Sequence, residues 1–361
     1  MKQPINVQNS GGAVALINDV IDKAVKKKAS DIHFEPQEGL MKIRYRVDGL
    51  LCEGFAVHRS MIPSITARIK VMVNLDIGET RLPQDGRTRL TVDGAEIDLR
   101  VSTLPTIFGE KAVIRLLDPA NTGISLEELG MEGACLNKFK HAISRPNGLV
   151  IVSGPTGCGK TTTLYAALDK LNSAEKNITT VEDPVEYRLA GINQVHVNEK
   201  TGLTFSRGLR AILRQDPDII MIGEIRDQET AGIAVAASMT GHLVLATLHT
   251  KTSSGVPQRL IDMGVEPYLV ASSLTAALSQ RLVRKKCRPC PDCSFSGYKG
   301  RMAIFELLEI NDELRKLIIM KSGPIEIERS SGIIKMQDDG FRKAEEGITT
   351  KEEVLRVIEC D

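Results

Sequence analysis

Residues Gly154-Pro155-Thr156-Gly157-Cys158-Gly159-Lys160-Thr161 have the composition and spacing of a loop that holds phosphate. Its glycines let successive backbone N–H groups curl around an anion, and a helix opening at Lys160 adds a partial positive charge. Lys160 is expected to reach the β- and γ-phosphates and the Thr161 hydroxyl to ligate Mg²⁺, with Thr162 completing the binding set. The chemistry implied is binding of a nucleoside triphosphate, with ATP and Mg²⁺ as cofactors.

Hydrolysis also needs groups that manage metal and water. Asp218-Ile219-Ile220-Met221-Ile222-Gly223-Glu224 reads as a buried strand with Glu224 emerging just past its end. Ile178-Thr179-Thr180-Val181-Glu182-Asp183-Pro184-Val185-Glu186 is a second strand running into acids. Two such strands can divide the work, one holding the water shell of the Mg²⁺ and the other orienting the attacking water. The expected division gives Glu182 the water and Glu224 the metal, through water. Thr240 to Thr250 forms a strand with His242 and His249 at its ends, candidates for sensing the terminal phosphate.

The elements that must position these residues follow from the pattern. The apolar run 148–153 feeds the phosphate loop, and 160–172 reads as the helix after it. Further strands are expected at 177–182, 192–197, 218–223 and 242–248, with helices near 205–214, 227–239 and 256–263. This strand–helix alternation predicts an α/β domain with a mostly parallel sheet over 135–361. From Leu269 onward the chain reads as mainly helical, including a helical part at 301–361, apart from a Cys-rich piece at 287–293 and the turn at 297–300.

Ahead of this lie a flexible tail (1–12), a smaller α+β domain (13–119) and a linker (120–134) rich in Gly and Asn. The smaller domain opens with an amphipathic helix from Ala13 to Lys28. Alternating runs follow at 31–35 and 41–47, then a helix at 61–74 and a hairpin turning at Asp93-Gly94. Alternation sends Leu90, Val92, Ile97, Leu99 and Val101 to one face and leaves Arg100 on the other.

A net charge of +1, aromatic content of 4% and the absence of Trp argue against a nucleic-acid surface. No apolar stretch reaches membrane-spanning length, so direct insertion is not expected. The expected location is the cytosol, or a membrane surface reached only through partners. Seven cysteines, an odd number and mostly scattered, do not read as a disulfide framework.

Taken together, the phosphate loop, Glu182-Asp183-Pro184-Val185-Glu186, the Asp218-to-Glu224 strand and Gly241-His242…His249 resemble the type II/type IV secretion motor ATPases. The likeness extends upstream through Leu82-Pro83-Gln84-Asp85-Gly86-Arg87 and downstream through Ser279-Gln280-Arg281-Leu282-Val283-Arg284 and Gly297-Tyr298-Lys299-Gly300-Arg301. It implies a RecA-like P-loop domain behind a PAS-like N-terminal domain, a homo-hexameric ring, and an inner-membrane platform protein as partner. It also implies arginines donated from an N-terminal domain to the nucleotide, matched here by Arg100 and Arg115, with Arg87 as a third.

Two features depart from that pattern. Relatives of the assembly type carry a longer N-terminal extension, whereas here the family-like region starts almost at once. The family's two C-x-x-C pairs are reduced to Cys287, Cys290 and Cys293, where structural zinc takes four protein ligands. A three-cysteine Zn²⁺ site with an outside ligand and a metal-free remnant both remain open. The function expected is an Mg²⁺-dependent ATPase driving pseudopilus or pilus assembly. The alternatives are a RecA-like nucleic-acid translocase or a pilus-retraction motor.

Overall fold

In the computed structural model, residues 12–92, 94–117, 123–289 and 296–359 are described. Two compact units divide the chain, one up to Thr122 and one from Gly123.

The first unit opens with α1 (Gly12–Lys26), whose apolar stripe Ile17, Val20, Ile21 and Ala24 is buried. Then come β1 (Ala29–Pro36), β2 (Leu40–Val47), β3 (Leu50–His58) and α2 (Ile62–Met72). β4 (Gln84–Val92), β5 (Ala95–Thr106) and β6 (Gly109–Leu117) complete it. The six strands form one antiparallel sheet in the order β3-β2-β1-β6-β5-β4. Alternation sends Ile32, Phe34, Leu99, Val101 and Ile114 into a core shared with Ile65 and Ile69 of α2. β3 was not anticipated. Of the expected Asp93-Gly94 turn, Asp93 lies outside the described residues, as do residues 1–11 of the expected tail and 120–122 of the linker.

The second unit contains α3 (Gly133–Ile143), β7 (Gly148–Ser153), α4 (Lys160–Leu171), β8 (Ile178–Glu182) and β9 (Asn193–His196). α5 (Phe205–Ile212), β10 (Ile219–Ile222), α6 (Gln228–Met239), β11 (Leu243–Leu248), α7 (Gly255–Asp262) and α8 (Pro267–Ser273) follow. Next are β12 (Leu274–Lys286), β13 (Tyr298–Glu309), α9 (Asp312–Ile319), α10 (Pro324–Ser331), α11 (Met336–Glu345) and α12 (Lys351–Glu359). The sheet runs β13-β12-β7-β11-β10-β8-β9, parallel throughout except for β13. Every residue of β7, β10 and β11 is buried, as parallel strands covered by helices on both faces require. Leu149 and Ile151 enter one core layer, with α5 to α10; Val150 and Val152 enter the other, with α3 and α4.

The reading of residues beyond Leu269 as mainly helical is corrected here, since β12 and β13 are long strands and the helical part begins at α9 rather than at 301. β12 is rich in Leu, Ala, Arg and Lys, good helix formers. Burial between β7 and β13 overrides that local preference. α12 is fastened to β12 by Glu353, which accepts from Arg284 Nη2 at 2.7 Å and Arg356 Nη2 at 2.6 Å.

Candidate functional site

β7 delivers the phosphate loop to the carboxyl edge of the sheet, where ligands sit in open α/β folds. Gly154 has φ +143° and Gly159 φ +90°. A Cβ placed on Gly154 would lie 2.6 Å from Cys158 Sγ and 2.8 Å from the Gln280 carbonyl oxygen, so only glycine fits. Gly159 caps α4, and Thr161 and Thr162 are half-buried in its first turn, while Thr156 and Gly157 are exposed. Lys160 Nζ donates to the carbonyls of Gly154 at 2.7 Å and Pro155 at 3.0 Å. Burial lowers the pKa of this ammonium and the charge of Arg281 adds to the effect, while Glu224 opposes it. Cys158 is buried with its thiol pKa raised by that burial, so it is an unreactive packing group.

The loop is braced from β12. Gln280 Nε2 donates to the Cys158 carbonyl at 2.7 Å, and its Oε1 accepts from Thr163 Oγ1 at 2.7 Å. Sequence reasoning did not single out Gln280 or Arg281 for the site. The only available signal was their place in the Ser279-to-Arg284 run.

Glu224 follows β10 and His249 follows β11, and the two strands are adjacent and parallel. Glu224 Oε1 lies 2.9 Å from His249 Nε2, and its Oε2 lies 2.8 Å from Arg226. His249 in turn lines a cavity of about 200 Å³ with Gly154, Pro155, Thr250, Lys251 and Arg281. The strand ends thus bring Glu224, through His249, to the mouth of the phosphate loop.

Glu182 is placed differently from the expectation that it activates water. It is 2% exposed. Its Oε2 accepts from the Tyr165 hydroxyl, and its Oε1 accepts from Thr180 Oγ1 at 2.5 Å and Gln194 Nε2 at 3.2 Å. Burial raises its pKa, with those three donors opposing the rise. Asp183 beside it is exposed and 3.6 Å from Arg226.

His242 is also corrected. It precedes β11, level with the start of β7, so it sits at the amino edge of the sheet, about 20 Å from the loop within one chain at about 3.3 Å per residue. Its Nδ1 lies 3.0 Å from the Ala237 carbonyl. His249, at the other end of the same strand, is the histidine at the site.

The arginines lie in the first unit. Arg100 is directly opposite Arg115 on β6 and Arg87 on β4. Arg115 Nε donates to Asp31 at 3.0 Å. Alternation places this row on the sheet face away from the core. Cys287 is half-buried, and Cys290 and Cys293 lie outside the described residues. No group of three or more His, Cys, Asp or Glu that could hold a metal occurs among the described residues. The glycine cradle, the half-buried ammonium and the helix N-terminus fit a polyphosphate, and the Thr161 hydroxyl suits Mg²⁺.

The sequence profile of the family described as Type II/IV secretion system protein matches residues 6–356. The chain is 48% identical to Type II secretion system protein E of Pectobacterium carotovorum, over 98% of its length and 77% of the relative's. It is 50% identical to Type II secretion system protein HxcR of Pseudomonas aeruginosa, over 98% and 79%. It is 47% identical to Type II secretion system ATPase E of Vibrio cholerae, over 95% and 75%. Among solved structures, the pilus retraction motor PilT with bound ADP superposes with a TM-score of 0.67 at 27% identity, over 94% of this chain and 96% of that one. The ATPase DotB of Legionella pneumophila shares the fold, with a TM-score of 0.76 at 20% identity over the whole of both chains.

Proposed function

The chain belongs to the Type II/IV secretion system protein family, and we propose that it is the ATP-driven motor of a type II secretion machine. It is an ATP hydrolase with a RecA-like α/β core. The observation that carries the reading is the meeting of the phosphate loop with the Glu224–His249 pair at one edge of the parallel sheet.

Lys160 and the loop amides bind the β- and γ-phosphates. The Thr161 hydroxyl would hold Mg²⁺, which when bound would supply charge neutralisation at the phosphate oxygens. Glu224, oriented by His249, positions the attacking water and takes its proton, a contribution of roughly 10²–10⁴ in rate. Glu182 holds the end of β8 in register through Tyr165 and Gln194. The N-terminal unit is a PAS-like domain that lends Arg100 and Arg115 to the nucleotide of a neighbouring copy in a hexamer. An arginine so placed is worth about 10³–10⁵ in rate. The ring works against an inner-membrane platform protein from the cytoplasmic side. No helix among the described residues is long and apolar enough to cross a membrane.

Steady-state phosphate release tests the chemistry: Lys160→Ala should abolish it with the fold intact, and normal turnover would remove the loop from the mechanism. Mixing Arg100→Ala with Lys160→Ala subunits tests the ring. Activity should recover at interfaces pairing an intact loop with an intact arginine, and no recovery in confirmed mixed assemblies counts against it.

A further inference from the structure

β13 carries a buried acid. Ile304, Glu306 and Leu308 alternate onto one face of that strand. Ile304 joins the small core formed with Met336 and Val354 of α11 and α12, and Leu308 joins the larger one that holds Val256 and Leu260 of α7. Glu306 falls between the two and is 5% exposed. Burying a carboxylate is costly unless donors meet it, and here they come from both sides. Oε1 accepts from Ser253 N at 2.9 Å and from Ser253 Oγ at 2.6 Å, while Oε2 accepts from Met336 N at 3.4 Å.

Ser253 belongs to the segment 249–254 that joins β11 to α7. The start of this segment is part of the site: His249 meets Glu224 at 2.9 Å, and His249, Thr250 and Lys251 line the cavity with Gly154 and Pro155. Arg281 Nη2 holds its middle by donating to the Lys251 carbonyl at 3.1 Å. Glu306 holds its far end, gripping the wholly buried Ser253 by main chain and side chain at once. Hydrogen bonds to a carboxylate are roughly twice as strong as neutral ones, and two from one serine fix its orientation as well as its place. The anchor is itself well supported. Glu306 is opposite Ser279 on β12, which is level with Ser153 at the end of β7, so the clamp shares the sheet that launches the phosphate loop. Its second oxygen faces the first turn of α11, where negative charge is favoured, and Lys343 of that helix donates to the Ala303 carbonyl of β13 at 2.8 Å.

We propose that Glu306 is a positioning residue for hydrolysis: by clamping Ser253 it holds the segment 249–254 where His249 meets Glu224. It acts through His249 and not on the nucleotide. The inference rests on the ATPase reading and extends that site to the edge strand of the sheet.

The test is steady-state phosphate release by the full chain in a double-mutant cycle with His249. Glu306→Gln keeps the shape of the side chain, but its amide nitrogen cannot accept, so either Ser253 or Met336 loses its partner. It should lower kcat about three- to fivefold with KM within about twofold. In a His249→Ala chain the same substitution should cost less than about 1.5-fold, because the group it acts through is gone. Ser253→Ala, which loses the hydroxyl but keeps the N–H, should cost about twofold and fall silent in the same way. Equal losses with and without His249 would show that Glu306 only braces the fold. An unchanged kcat, or a loss confined to KM, would also overturn the proposal. If Glu306→Gln does not unfold cooperatively, the same comparison made with Ser253→Ala decides. Wild-type chain that released no phosphate would instead overturn the ATPase reading itself, and this inference with it.

Discussion

Glu182 and Glu224 end neighbouring parallel strands of similar composition, yet one is sealed in the interior and the other reaches the phosphate loop. Register explains the difference. Ile222 is level with Val181, so Gly223, not Glu224, is the counterpart of Glu182. A Cβ on Gly223 would come within 3.2 Å of the Glu182 Cα, and the missing side chain lets the two strand ends close up. Glu224 is one position further on and points to the opposite side, as a one-residue step along a strand dictates. Its level on β8 is occupied by Asp183, and both acids reach Arg226. An acid at the end of a strand is therefore not one kind of site; its parity relative to the neighbouring strand decides whether it meets water or protein.

Substitutions can break this contrast or sharpen it. The largest effect is expected from Glu224→Gln, which should lower kcat by about 10²–10⁴ while nucleotide affinity stays within a few-fold. Near-normal turnover would give the two acids equal rank. His249→Ala should cost about tenfold in kcat by loosening Glu224, with little change in ADP affinity. A loss confined to KM would mean His249 binds rather than orients. Glu182→Gln should lower kcat by no more than about threefold, but it should change how stability depends on pH. Burial raises the Glu182 pKa above the usual 4.5, so the stability tied to its neutral form is present below that value. That stability is lost as pH rises through the folded-state value. The Tm of wild type relative to Glu182→Gln should therefore fall as pH rises above about 4.5, and parallel profiles would contradict the buried placement. The smallest effect belongs to His242→Ala, less than about twofold in the kcat of a dilute chain.

Much of this was legible beforehand. β7, β10 and β11 are continuous apolar runs bounded by turn residues, and the glycine spacing of the loop carries its own mechanism. The two histidines could have been separated, because a residue preceding a parallel strand must lie at the edge away from the loop. The roles of β12 and β13 were hidden. Leu274, Leu278 and Leu282 recur at helical spacing, and only the neighbours supplied by β7 and β13 make that stretch a strand. For the same reason Gln280 and Arg281 were invisible as site residues, and the Tyr165–Glu182–Gln194 cluster depends on elements that meet only when folded.

The brace from Gln280 to Thr163 spans 117 residues of chain. A ribosome adding about 5–20 residues per second makes Gln280 roughly six to twenty-five seconds after Thr163. Throughout that interval the nascent polypeptide has the loop but not its supporting wall.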